Sequence, residues 1–236
     1  MSSRGPESIQ ELRDAIAGDA ALAELHAIAH RCGAGDPAHD VAHAERVALW
    51  TLRLAPRVEP RTAIAAALLH DNVNLPKDSP DRARASELGA AEAFRILPGL
   101  GFSDAETACV AAAIRTHSYS RGEAPTSELG RALQDADRLE TLGALGLCRV
   151  LSTGTRLGAR YFEAVDPWAE RRELDDRGYS VDHFFTKLLG LCDSMLTPEG
   201  KREARARTDY LLGFLEQLGR EIGVPLPPAR RGKTEV

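Results

Sequence analysis

The stretch TAIAAALLHDN, residues 62–72, does most to limit what this chain can fold into. From Ala63 to Leu69 every residue is small or apolar. A helix built from them has no side for water and belongs at the centre of a fold. It then ends on His70 and Asp71, two strong metal-ligating groups that are costly to bury unless something neutralises them. Neighbours on a helix point about 100° apart, so the pair can reach one ion only where the helix ends. Asn72, Asn74 and Pro76 supply that ending. The segment therefore reads as an apolar rod that delivers two polar ligands to a buried cation.

The rest of the chain also reads as helix. Alanine and leucine are abundant, β-branched clusters are scarce, and no sustained period-two alternation is present. The fold class expected is all-α. Helices are expected over 7–17, 19–31, 37–54, 60–70, 80–96, 104–117, 127–151, 180–193 and 198–222. Asp36-Pro37, Ser79-Pro80 and Thr197-Pro198 each place a capping side chain before a first-turn proline, and Ser103 with Glu106 fits a capping box. Residues 152–179 break the pattern with Gly, charge and turn residues, too long a stretch for a plain linker. It is expected to be either functional or partly mobile. No repeat or linker divides the chain, so one domain over 1–222 is expected, with its core over 22–222. The tail 223–236, GVPLPPARRGKTEV, is expected to be disordered.

Bulk composition sets outer limits. With 236 residues, 43% of them hydrophobic, the chain can bury a real core. A net charge of −5 argues against nucleic-acid polymers and membrane surfaces as partners, and leaves room for a small phosphorylated substrate. Cys32, Cys109, Cys148 and Cys192 form no CxxC pair and read as reduced thiols. No signal-like or membrane-length apolar run is present, so a cytoplasmic location is expected.

Among seven histidines, His43 shares an inward face with Val47, Trp50 and Leu54. Alone it reads as a core histidine; beside His70 it reads as a second nitrogen ligand. Asp137, four residues after Leu133, adds a carboxylate close to an apolar stripe, whereas Asp135 is expected to face solvent. His43, His70, Asp71 and Asp137 make an N2O2 set drawn from three helices. It suits Mn, Fe, Zn, Ni or Co better than Ca. Mg belongs among the candidates, and Mn is favoured.

The run HAERVALWTLRLA, then AALLHDN, then DADRLE resembles the HD superfamily of metal-dependent phosphohydrolases, whose signature is H…HD…D. LPKDSPDRARAS, AAAIRTHSYS, LQDADRLETLGALGL, DPWAERRELDD and DHFFTKLLGL are similar to a bacterial subgroup, some of whose members are nucleotide pyrophosphohydrolases. The resemblance covers about residues 22–222 and implies an all-helical fold. It carries the metal ligands onto His43, His70, Asp71 and Asp137. The reaction implied is attack of water on a phosphate ester or anhydride, with (d)NTPs split to monophosphate and pyrophosphate as the leading expectation. Phosphomonoesters and guanosine tetraphosphate-type alarmones are alternatives within the class.

Asp71 is expected to ligate the metal and orient or deprotonate the attacking water. Lys77 reads as a phosphate contact under the resemblance and as a loop lysine without it. Arg46, one turn after His43, either clamps phosphate or holds an acid such as Asp137. His117, ending its helix, reads either as a helix cap or as the general acid or a phosphate contact. His39 lies one turn before His43 and is a further substrate-binding candidate. Tyr161 and Trp168 either line a substrate pocket or pin the irregular segment to the core. His26, His30 and His183 read as structural or exposed, Arg138 as structural, and Arg82 and Arg84 as surface charges. The chain departs from many HD phosphatases in one respect: Asn74 stands where they place a glutamate, so the acid or base must come from elsewhere. An HD-type di-iron oxygenase would need two more histidines between Asp71 and Asp137, and only His117 is there. A non-catalytic nucleotide sensor is disfavoured because no ligand is missing. A homodimer is a possibility that the sequence leaves open.

Overall fold

The structure, a computed structural model, describes residues 5–33, 40–73, 84–118 and 122–231. Among these residues the protein is all-α, with no strand and a single isolated bridge between Arg160 and Tyr179. No described helix is long and apolar enough to cross a membrane. The chain divides into two compact units, residues 1–137 and 138–236.

The first unit contains α1 (Ile9–Ala17), α2 (Ala20–Cys32), α3 (Val41–Leu54), α4 (Pro60–Leu69), α5 (Ala85–Ile96), α6 (Asp104–His117) and most of α7 (Glu128–Leu139). Helix α4 is its axis. Every residue from Thr62 to Leu69 is buried, and α2, α3 and α6 all pack against it. The all-round apolar pattern has the consequence expected of it. Asp19 caps α2 through the Ala21 and Leu22 amides and pairs with Arg61 of α4 at 2.8 Å, which ties the two helices together.

Local signals account for most helix ends. The Ser103–Glu106 capping box forms in full, and the Thr197 side chain accepts from the Gly200 amide ahead of Pro198. Helix α3 is shorter than expected: Asp40 is its N-cap, with ψ at 174°, and the helix starts at Val41. The Asp36-Pro37 and Ser79-Pro80 caps lie outside the described residues.

The helix expected over 127–151 is instead two, α7 and α8 (Gly143–Arg156). The Thr141 hydroxyl takes the Arg138 carbonyl at 2.7 Å, and Gly143 adopts φ +67°, where only glycine is unstrained. A side chain on Gly146 would run into the Thr141 carbonyl, so the corner is tight as well as glycine-dependent.

The second unit contains α8, α9 (Asp182–Thr186), a 3₁₀ helix over Leu188–Ser194 and α10 (Pro198–Glu221). One helix was expected over 180–193; a short α-helix and a 3₁₀ helix stand there. Residues 157–181 are irregular but firmly fastened. Arg172 grips the fully buried Asp182 with both terminal nitrogens, at 2.5 and 2.8 Å, and the Asp175 amide also bonds Asp182.

The expected disordered tail is a correction for residues 223–231. Leu226 is buried, residues Pro228–Arg230 form a 3₁₀ turn, and Arg230 donates to the Trp168 and Ala169 carbonyls at 2.8 and 2.6 Å. Ala169 is held at φ +52°, an uncommon conformation for a residue with a Cβ. Proline-rich composition suggested a loose end; apolar burial and a clamping arginine override it. Residues 232–236 lie outside the described residues.

Candidate metal centre

His43 is delivered by the first turn of α3. Asp40 caps that turn by accepting from the His43 amide at 2.8 Å, which fixes the backbone from which the imidazole projects. An Asp three residues before His43 is the sequence signal for this cap, whereas the expected cap was Asp36. His70 lies immediately after α4, still in helical φ/ψ. Its Nδ1 faces the Ala67 carbonyl at 2.7 Å, so Nδ1 carries the proton and Nε2 keeps a lone pair. Asp71 follows as the backbone turns, with the Asn72 amide bonding back to the Leu69 carbonyl. Asp137 comes from the last turns of α7.

These four side chains converge. His43 Nε2 and His70 Nε2 are 3.2 Å apart. Asp71 Oδ2 lies 3.4 Å from His70 Nε2 and 3.9 Å from His43 Nε2. Asp137 Oδ1 lies 3.5 Å from His43 Nε2 and 3.9 Å from His70 Nε2. Donors held about 2.0–2.2 Å from one ion stand roughly 3–4 Å from each other, so the spacings of His43, His70 and Asp71 fit a shared divalent cation, with Asp137 facing the two imidazoles beside it. The imidazoles are buried and the two carboxylates are about one-third exposed, so the cluster has an inner and an outer side. Two imidazole nitrogens and two carboxylates facing one another make a donor set that a cation would neutralise.

His117 adjoins the cluster. It ends α6, and its Nδ1 faces the Ile114 carbonyl at 2.6 Å, repeating the arrangement at His70. Its Nε2 lies 3.7 Å from Asp71 Oδ1, so Asp71 presents one oxygen to the His43–His70 pair and the other to His117. The His70 and His117 rings meet edge-on at 5.2 Å.

The environments push the titrating groups apart. Burial is the main influence on His70 and holds its pKa below the ordinary imidazole value; Asp71 pulls the other way, and the His43 and His117 rings add to the lowering. Burial also disfavours protonated His117, but the facing Asp71 carboxylate outweighs it and holds the pKa above the ordinary value. Burial opposes ionisation of Asp137, and the His70 and His43 rings more than offset it, leaving the carboxyl below the usual range.

The remaining sequence candidates fall in different places. Arg46 is half-buried on α3, one turn after His43. Lys77, His39, Asn74, Asp78 and Arg82 lie outside the described residues. Tyr161 is exposed. Trp168 is wholly buried in the second unit, where its indole nitrogen donates to the Val224 carbonyl at 2.9 Å; this is the pinning role. Arg138 donates to Ser194 and is structural, as expected. Arg84 pairs with Glu87. His26 bonds the buried Glu45, which Arg13 also holds. Asp135 is a correction: it is fully buried, not solvated. Its spacing from Ala132 and Leu139, three and four residues, is that of the buried stripe on α7, so periodicity outranked residue type.

The HD-domain family model matches residues 40–142, which span all four donors. The uncharacterised protein YpgQ of Bacillus subtilis is 30% identical over 191 residues, 78% of this chain and 84% of that protein. The chain belongs to the HD-domain family. Among solved HD structures, YpgQ of Bacillus subtilis in complex with ADP superposes with a TM-score of 0.66 at 25% identity, over 87% of this chain and 95% of that one. An HD-superfamily hydrolase from Bacillus thuringiensis gives 0.66 at 26% identity, over 90% and 98%. The His43–His70–Asp71 cluster of this HD domain is thus where the family's divalent metals would be held.

Proposed function

We propose that this HD protein is a metal-dependent phosphohydrolase acting on nucleotides, with (d)NTP cleavage to monophosphate and pyrophosphate as the leading reaction. The observation that carries the reading is the 3.2 Å approach of two imidazole nitrogens, flanked by oxygens of Asp71 and Asp137. His43, His70, Asp71 and Asp137 would hold the ion, with manganese favoured. When bound, a divalent ion in this set supplies Lewis acidity, lowering the pKa of water and polarising a phosphoryl oxygen.

The chain's own groups do the rest. Asp71, about one-third exposed, orients the attacking water. His117 keeps a proton at Nε2 because Asp71 favours its charged form, and it hands that proton to the leaving oxygen. Arg46, one turn after His43 on α3, would meet a phosphate. The nucleotide assignment is supported by the ADP complex of the YpgQ relative.

The deciding experiment is a metal-reconstituted screen against dNTPs, NTPs and generic phosphate esters, with products identified by mass. Pyrophosphate release is expected. Orthophosphate alone would move the reading to a phosphatase, and no turnover with any divalent ion would end it.

A further inference from the structure

Gln134 has no part in the family signature, yet it is buried at 4% exposure on α7, one turn before Asp137. A buried amide must be hydrogen-bonded or it destabilises the fold. Its Nε2 donates to the backbone carbonyl of Thr116 at 2.9 Å. Thr116 is in the last turn of α6, whose terminal carbonyls have no intrahelical amide to receive. Two side chains serve two of these carbonyls. The His117 ring takes Ile114, and Gln134 takes Thr116. Thr116 is itself nearly buried, so water is a poor replacement.

One bond therefore joins the helix that carries Asp137 to the turn that carries His117. Gln134 and Asp137 are three apart and share a helix face. We propose that Gln134 is a positioning residue, holding the final turn of α6 through the Thr116 carbonyl and so fixing how far His117 Nε2 stands from Asp71. The role for His117 in turnover rests on the proposed phosphohydrolase reading; the geometric claim stands apart from it.

The test is Gln134→Met in the full chain, which keeps the length of the side chain and removes the donor. In the metal-free protein, the ¹⁵N ring resonances of His117 are expected to shift while those of His70 stay in place. Mn²⁺ affinity measured by calorimetry is expected to stay within about twofold, since no donor atom is touched. With ATP as the probe, kcat should fall about tenfold with KM little changed, and should fall no further when Gln134→Met is added to His117→Ala, because coupled residues are not additive. His117 resonances that superpose on wild type would overturn the proposal, as would losses that multiply in the double variant. If the Met variant does not fold, Gln134→Asn reads the same resonances with an amide too short to reach. A wild-type chain that turns over nothing would sink the phosphohydrolase reading, and the resonances would still decide the fate of Gln134.

Discussion

Helices α4 and α6 end in the same way and yield opposite histidines. At each end the imidazole turns its Nδ1 onto the carbonyl three residues back, Ala67 for His70 and Ile114 for His117. The backbone device is identical, and in both cases it aims Nε2 into the cluster. What differs is the company each nitrogen keeps. His70 Nε2 meets Asp71 Oδ2 at 3.4 Å but also a second imidazole nitrogen at 3.2 Å, and burial with that neighbouring ring disfavours charge. His117 Nε2 meets a carboxylate oxygen, which favours charge. Under the proposed reaction the first would serve as a metal ligand and the second as the proton donor to a leaving group. Residue type and local conformation are not enough to assign a role, because the balance of burial against the surrounding charges decides it.

Asp71 is the shared partner, so removing it should break the comparison most severely. Asp71→Asn is expected to reduce kcat by at least about a thousandfold, since loss of the metal's contribution forfeits several kcal/mol. The same variant should weaken Mn²⁺ binding in calorimetry. The two histidines should then separate. His70→Ala is expected to abolish stoichiometric metal binding, while His117→Ala retains the metal and loses about a hundredfold or more in kcat, the range of a general acid. Equal metal loss in both would erase the distinction drawn here.

A milder perturbation acts on the turn that carries Asp71. Gly89 of α5 faces Asn72, and an added Cβ would sit 2.8 Å from the Asn72 side-chain oxygen. Gly89→Ala is expected to cost about 1–3 kcal/mol in denaturant unfolding as the turn shifts to make room. It should disturb His70 more than His117.

The smallest expected effect is on the far end of α4. Asp19 has its pKa lowered; burial works against that, and the Arg61 hydrogen bond and the two α2 amides outweigh it. Because the folded pKa lies below the ordinary 3.8, the bond's contribution is fully present above that value and is lost as pH falls through the folded pKa. Asp19→Ala should cost about 1 kcal/mol at neutral pH, typical of a lost N-cap. The cost should vanish in acid, as followed by urea midpoints across pH.

Much of this was legible in the sequence. The all-round apolar run of α4 could only be central, and its ending on His-Asp announced the cluster. The spacing of His43 from Val47 and Leu54 gave its inward face. Other features were hidden for physical reasons. Asp135 is buried although carboxylates favour water, because helical phase places it on the apolar stripe. The corner between α7 and α8 depends on Gly143 at positive φ, and a glycine in a leucine-rich run carries a weak signal. The Gln134 bond spans 18 positions to a backbone carbonyl, and no sequence pattern encodes a carbonyl's need. The packing of residues 223–231 is hidden behind prolines, which exclude a helix without excluding order.

The clamp of Arg230 on Trp168 and Ala169 has a consequence for biosynthesis. The two ends of that contact are separated by about sixty residues, and the Trp168–Val224 bond spans 56. As the polypeptide emerges from the ribosome, α8 and the irregular segment appear well before the arginine that secures them. The second unit therefore reaches its finished state only once Arg230 has emerged, and a ribosome that stalls within α10 would leave it unlatched.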